Sequence, residues 1–273
     1  LVQQVAPYRR IEGSPVAVHL GQVGSLGVAG DDGTVCSLAR SLLLQVSGLH
    51  SPVHVGVAAL VADAAQWDWL KWLPHRRTAG VLIGGASTAT DPASGTELLA
   101  RVEGLIRARR AEVAGDHGEG QIEGRPSLVV LYDARLGIDR ARLDELLRDG
   151  PPVGVHVVWL DESFTRLPAR LGASVVSSHD DGEVEVAWTS SGRSQRVQAA
   201  SARLDAVERA ALRLSPLVDG GVRLGIAAEL ATEVRAGVLA DECAALLVDF
   251  FATRRCRTDS FTSEAKCRSD SFT

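Results

Sequence analysis

The chain has 273 residues, a formal net charge of −5 and 45% hydrophobic residues. That length allows one large domain or one domain with appendages, and the apolar fraction suffices for a sizeable core. The acidic balance excludes the basic field of a nucleic-acid binder, and no apolar run reaches the ~18–20 residues of a membrane-spanning helix.

Pro15 to Leu20 alternates apolar and polar, as a half-buried strand does. SLGVAG (25–30) is a short apolar run ending in glycine, and a helix is predicted over 31–50, where Val35, Leu38, Ala39, Leu42, Leu43 and Val46 recur at helical spacing. Pro52 stops it. Residues 53–61, VHVGVAALV, form a near-continuous β-branched run, the signature of a strand buried on both faces.

Next comes WDWLKWLPH (67–75), with three of the five tryptophans of the chain in six positions. Ala79 to Gly84 is another short apolar run. Asp91-Pro92 starts a helix that is periodic over 96–111. Ala114 to Pro126 is polar and glycine-rich and reads as a surface loop. SLVVLYD (127–133) is a buried strand ending in an acid, 139–148 a helix, and VGVHVVWLD (153–161) another strand ending in an acid. Residues 169–190 read as an antiparallel pair turning at Asp180-Asp181-Gly182, and 201–214 as a helix.

Strand and helix alternate from about 15 to 165, which predicts an α/β fold with a mainly parallel sheet, flanking helices and an antiparallel edge. Two further helices are expected over 226–235 and 240–253. The extreme C-terminus repeats CRTDSFT (256–262) as CRSDSFT (267–273) and reads as a flexible tail. Because the chain contains no methionine, Leu1 is expected to be an internal point of a longer protein.

An apolar strand, a glycine turn and a helix are the parts of a phosphate-binding loop, G-x-x-x-x-G-K-[ST]. The chain offers Gly30-Asp31-Asp32-Gly33-Thr34-Val35-Cys36-Ser37. Gly30 and Ser37 fit; Gly33 is out of register, the second glycine is Val35 and the lysine is Cys36. At an effective dielectric of ~20, two unit charges ~4 Å apart interact by about 4 kcal/mol. Asp31 and Asp32 therefore repel a triphosphate where the missing lysine would attract it. Asp133, at the end of its strand, stands where an ATPase holds magnesium, but Ala134 follows it in place of a second acid for activating water. Gly30, Gly33, Ser37 and Asp133 are thus a degenerate nucleotide site. No bound cofactor is expected, with ATP and magnesium the alternative.

Other chemistry finds little support. There is no G-x-S-x-G and no H-E-x-x-H, and the seven histidines are scattered. Cys36, Cys243, Cys256 and Cys267 lack zinc-ligand spacing and read as reduced cytosolic thiols.

ARSLLLQVSGLHSPVHVGVAALV (39–61) followed by QWDWLKWLPH (66–75) resembles the EccC-type FtsK/SpoIIIE-like ATPases of actinobacterial type VII (ESX) secretion. SLVVLYD, the strand ending WLD, the RLP turn (166–168) and the 205–217 segment ending SPL extend the likeness over roughly 15–217. The resemblance implies a RecA/FtsK-like domain over 1–217; 218–273 lie outside it, and their own periodicity and repeat read as a helical extension (218–255) and a repeat-containing tail (256–273). The resemblance implies the cytoplasmic side of the cell membrane as location. Neighbouring ATPase modules and other secretion-complex subunits are the implied partners, homo-oligomers are allowed, and neither nucleic acid nor membrane contact is expected of this segment.

Because of the degenerate loop, the expected role is non-catalytic: coupling or regulating the true ATPase modules. A divergent NTPase, or an adaptor recognising a secreted helical partner through 222–273, are the alternatives. Within the resemblance, Trp67, Trp69, Trp72, Pro74 and His75 form either a packing plug against the sheet edge or a docking surface for a neighbouring module.

Overall fold

The computed structural model describes residues 16–115, 125–177 and 182–216. One helical turn, α1 (Leu20–Val23), leads into β1 (Ser25–Ala29), whose five residues are all buried. α2 (Asp32–Leu49) and β2 (Val55–Leu60) follow. The tryptophan segment folds as α3 (Ala64–Trp67), a 3-10 helix (Asp68–Trp72) and α4 (Pro74–Ile83).

β3 (Thr88–Ala89) precedes α5 (Pro92–Gly115). The Asp91 carboxylate accepts the amides of Ala93 and Ser94, both at 3.0 Å, which satisfies donors the first turn of α5 leaves open. Then come β4 (Ser127–Asp133), α6 (Arg140–Asp149), β5 (Val155–Asp161), β6 (Ala173–Ser177), β7 (Glu183–Trp188), β8 (Arg193–Gln198) and α7 (Leu204–Leu214).

The strands form one sheet in the order β3-β2-β4-β5-β1-β6-β7-β8. Pairing is parallel from β3 through β6, and β7 and β8 add an antiparallel edge. β1 lies centrally because it is buried on both faces, which demands helices above and below. One core packs α2, the tryptophan segment and α7 on one face of the sheet. The other packs α4, α5 and α6 on the opposite face. The register pairs Ala29 with Asp161 and Asp133 with Leu160. The carboxyl ends of β1, β5 and β4 therefore finish level, at the edge where open α/β sheets bind ligands.

One expectation changes, and two elements go beyond what the sequence assigned. Residues 16–19 carry no strand, and Leu20 and Val23 instead lie three apart on one helical turn packed against the core. The apolar run from Ala79 closes α4, which Gly84 ends in the left-handed conformation at φ 66°. β8 was not foreseen; its RSQRVQ sequence is mostly exposed and polar, so no apolar alternation marks it. Pro15, the tip of the 114–126 loop, the Asp180-Asp181 turn, the helices expected over 226–235 and 240–253, and the terminal repeat lie outside the described residues. Among the described residues, no helix is long and apolar enough to cross a membrane.

Candidate functional site

The connection from β1 to α2 is two residues long, Gly30 and Asp31. Asp31 caps the helix, its carboxylate accepting the Thr34 amide at 3.0 Å. The helix therefore begins at Asp32, and Gly33, Thr34 and Val35 are already helical. A phosphate cradle needs these residues in a loop whose amides turn inward; here they are committed to the helix. Gly30 is still required to be glycine. Its φ is 150°, and a Cβ on it would come 2.5 Å from the Ser177 hydroxyl.

Of the four residues predicted for this site, Gly30 and Asp133 meet. They line a small cavity of about 20 Å³ with Asp32, Cys36, Arg135, Asp161 and Arg166 among others. That is room for about one water. Gly33 is exposed on the first turn of α2, and Ser37 lies beyond a full turn into the helix. Neither lines the cavity. The Ser37 carbonyl instead accepts the Ala202 amide at 3.1 Å, tying α2 to the start of α7.

Arg135 fills the place between the carboxylates. Its Nη2 donates to Asp133 Oδ2 at 2.8 Å and its Nε to Asp133 Oδ1 at 3.0 Å. Its Nη1 lies 2.7 Å from Asp32 Oδ1. Asp133 also accepts the Arg135 amide at 3.0 Å, so the residue is gripped by backbone and side chain together. The hydrogen bonds to Asp133 hold the guanidinium charged more firmly than usual. Across the cavity, Arg166 Nε lies 3.3 Å from Asp161 Oδ1.

Cys36 donates to Asp32 Oδ1 at 3.5 Å, and burial, then the Asp32 charge, push its thiol up to about 11. It is therefore a neutral thiol at physiological pH, and supplies none of the charge a lysine would. The residues present do not fit a magnesium–triphosphate: the cradle is helical, the lysine is a thiol, and the metal's carboxylate is taken by an arginine. Among the described residues, no three His, Cys, Asp or Glu side chains converge as a metal site.

Sequence reasoning stopped at Asp133 and Ala134 and missed Arg135. The signal was present as a cation two residues after the strand-end acid.

The tryptophan segment is built from helical turns. Trp67 and Trp69 are each 1% exposed, with ring centroids 6.4 Å apart. They share a core with residues of α2, β2 and α7. Trp72 behaves differently: it is 41% exposed, with the Lys71 ammonium 5.3 Å from its ring centroid. Pro74 opens α4, where its missing N–H is not needed. His75 is buried, with Nε2 2.8 Å from the His50 carbonyl oxygen. Arg40, also missed from sequence, donates to Gln66 Oε1 at 2.6 Å and to the Ala202 carbonyl at 3.1 Å. It thereby pins α2 to the segment and to α7.

Comparison with known proteins agrees with this architecture. The chain is 37% identical over 75 residues to the ESX-4 secretion system protein EccC4 of Mycobacterium tuberculosis. It is 34% identical over 108 residues to the ESX-3 protein EccC3 of that organism. Over those residues the chain is similar to EccC proteins of ESX secretion systems. These matches cover 27% and 38% of this chain but only 6% and 8% of those relatives. The chain thus spans a small part of the curated EccC proteins it matches.

Among solved structures, ATPases 2 and 3 of EssC from Geobacillus thermodenitrificans superpose with a TM-score of 0.55 at 15% identity, covering 71% of this chain and 44% of that one. The cytoplasmic domain of EccC from Thermomonospora curvata superposes at 0.53 and 15% identity, over 71% of this chain and 27% of that one. At such identity the likeness is one of fold, and the fold is RecA/FtsK-like. No family model matches the chain.

Proposed function

We propose that this EccC-type segment is a non-catalytic, ATPase-like domain of a type VII secretion motor, coupling or regulating the motor's true ATPase modules. The observation that carries this reading is the two-residue link between β1 and α2. It leaves no loop to hold a phosphate, and Cys36 stands in place of the lysine. A domain with that fold and no phosphate cradle acts through its surfaces. The relatives named above are ESX secretion proteins, which supports neighbouring ATPase modules and other subunits of a secretion complex as partners. It also supports a working place on the cytoplasmic side of the cell membrane. On this reading residues 1–217 form the degenerate domain and 218–273 an appendage to it.

ATP hydrolysis by the intact parent motor tests the proposal. Changing the remnant site residues (Ser37→Ala, Asp133→Asn) is expected to leave the affinity for ATP at the motor's other modules unchanged. Removing the whole segment is expected to alter the turnover of those modules several-fold. If removal leaves turnover and secretion as they were, the coupling role is wrong.

A further inference from the structure

Asp133 is buried at the end of β4, and Asp32 stands on the first turn of α2 with its carboxylate turned to the same guanidinium. Two carboxylates that converge at a strand end, beside a helix N-terminus, would repel each other unless a cation lay between them. In a metal-dependent phosphate site the cations are a metal and a lysine. Here a single side chain holds both carboxylates: the fork of Arg135 sets Nε and Nη2 on Asp133, and Nη1 on Asp32 at 2.7 Å. The planar guanidinium matches carboxylates in this forked manner, which a point-charge ammonium cannot do. The remaining cavity, about 20 Å³, takes about one water beside the arginine, whereas a divalent ion bound by two carboxylates keeps several.

We propose that Arg135 is a built-in occupant of the remnant nucleotide site, bridging Asp133 and Asp32 and so excluding divalent cations from them. This rests on the reading of the segment as a degenerate ATPase-like domain, and adds to it the residue that closes the site. The loss of the loop and lysine removes the anion's seat. Arg135 separately removes the cation's seat. The two losses are therefore independent, and undoing the second alone restores affinity for a divalent ion without restoring affinity for a nucleotide.

The test is thermal unfolding of the whole chain in increasing MnCl2, against NaCl of equal ionic strength, for the wild type, Arg135→Gln and the double variant Asp133→Asn/Arg135→Gln. The wild type is expected to melt at one temperature throughout. Arg135→Gln is expected to melt lower without manganese and to regain ~3 °C or more, saturably, at millimolar manganese, because a ligand that binds only the folded form stabilises it. The double variant should show no such gain. Should Arg135→Gln not fold, Arg135→Lys carries the test: one ammonium cannot serve both carboxylates, so a smaller manganese-dependent rise is expected.

A manganese-dependent rise in the wild type equal to that of the variant would overturn the proposal, as would variants indifferent to manganese. Neither result depends on nucleotide. A wild type that binds Mg-ATP would instead overturn the degenerate reading itself, and the two failures are told apart.

Discussion

The Nε2 of His75 donates to the carbonyl oxygen of His50 across 2.8 Å. That bond joins the two most recognisable turns of the sequence, the LHSP turn after α2 and the WLPH turn before α4. A second bond lies beside it, from the Thr78 hydroxyl to the Pro52 carbonyl at 2.7 Å. The last turn of a helix leaves carbonyls without partners, and one of them, at His50, is satisfied by a residue 25 positions later. The tryptophan segment is thereby latched to the end of the helix it covers.

The latch is sensitive to acid. Burial holds the His75 ring below its ordinary pKa of 6.5, and burial does the same to His156. The fold prefers both rings neutral, so the unfolded chain binds more protons as pH falls below about 6.5. Their contribution is complete above that pH and is lost as pH falls through the depressed folded values. Chemical denaturation between pH 7.5 and 5 should show stability decreasing with acid, and His75→Gln, which cannot charge, should flatten part of that slope. An unchanged slope would mean that the ring is not held neutral by the fold.

Trp69→Ala and Trp72→Ala should differ sharply. Trp69 is 1% exposed and Trp72 is 41% exposed. Emptying the buried site is expected to cost ~3–5 kcal/mol, and trimming the exposed one ~1 kcal/mol or less. Urea unfolding of the two variants checks this; equal losses would contradict the division of the segment into a buried pair and a surface ring.

Cys36 should be a poor nucleophile. Its thiol lies beside Asp32 and is pushed up to about 11, and only the thiolate reacts. With Cys243, Cys256 and Cys267 changed to serine, the remaining thiol should react with an aromatic disulfide at pH 8 at least ~10-fold more slowly in the folded chain than in denaturant. Equal rates would show the thiol to be open and ionised.

The sequence disclosed most of the architecture because buried parallel strands are written as apolar runs. β1, β2, β4 and β5 all fall within such runs, and β6 and β7 within the expected antiparallel pair. β8 escaped because an exposed edge strand needs no apolar face. The apolar stretch ending at Gly84 was ambiguous because a short run does not distinguish a strand from half a helix. On the proposed reading the sequence presents the site as a set of losses, Val35 and Cys36 for glycine and lysine and Ala134 for an acid. Its gain was not legible there. Arg135 becomes meaningful only when the register brings the end of β4 to the start of α2, a contact between residues about a hundred positions apart.

The central claim is that the remnant site takes no nucleotide, and calorimetric titration of Mg-ATP into the whole chain tests it most directly. With Gly33 to Val35 wound into α2, Cys36 a neutral thiol and Asp133 held by Arg135, no saturable heat is expected up to millimolar ATP. Micromolar binding that disappears in Ser37→Ala or Asp133→Ala would contradict the account.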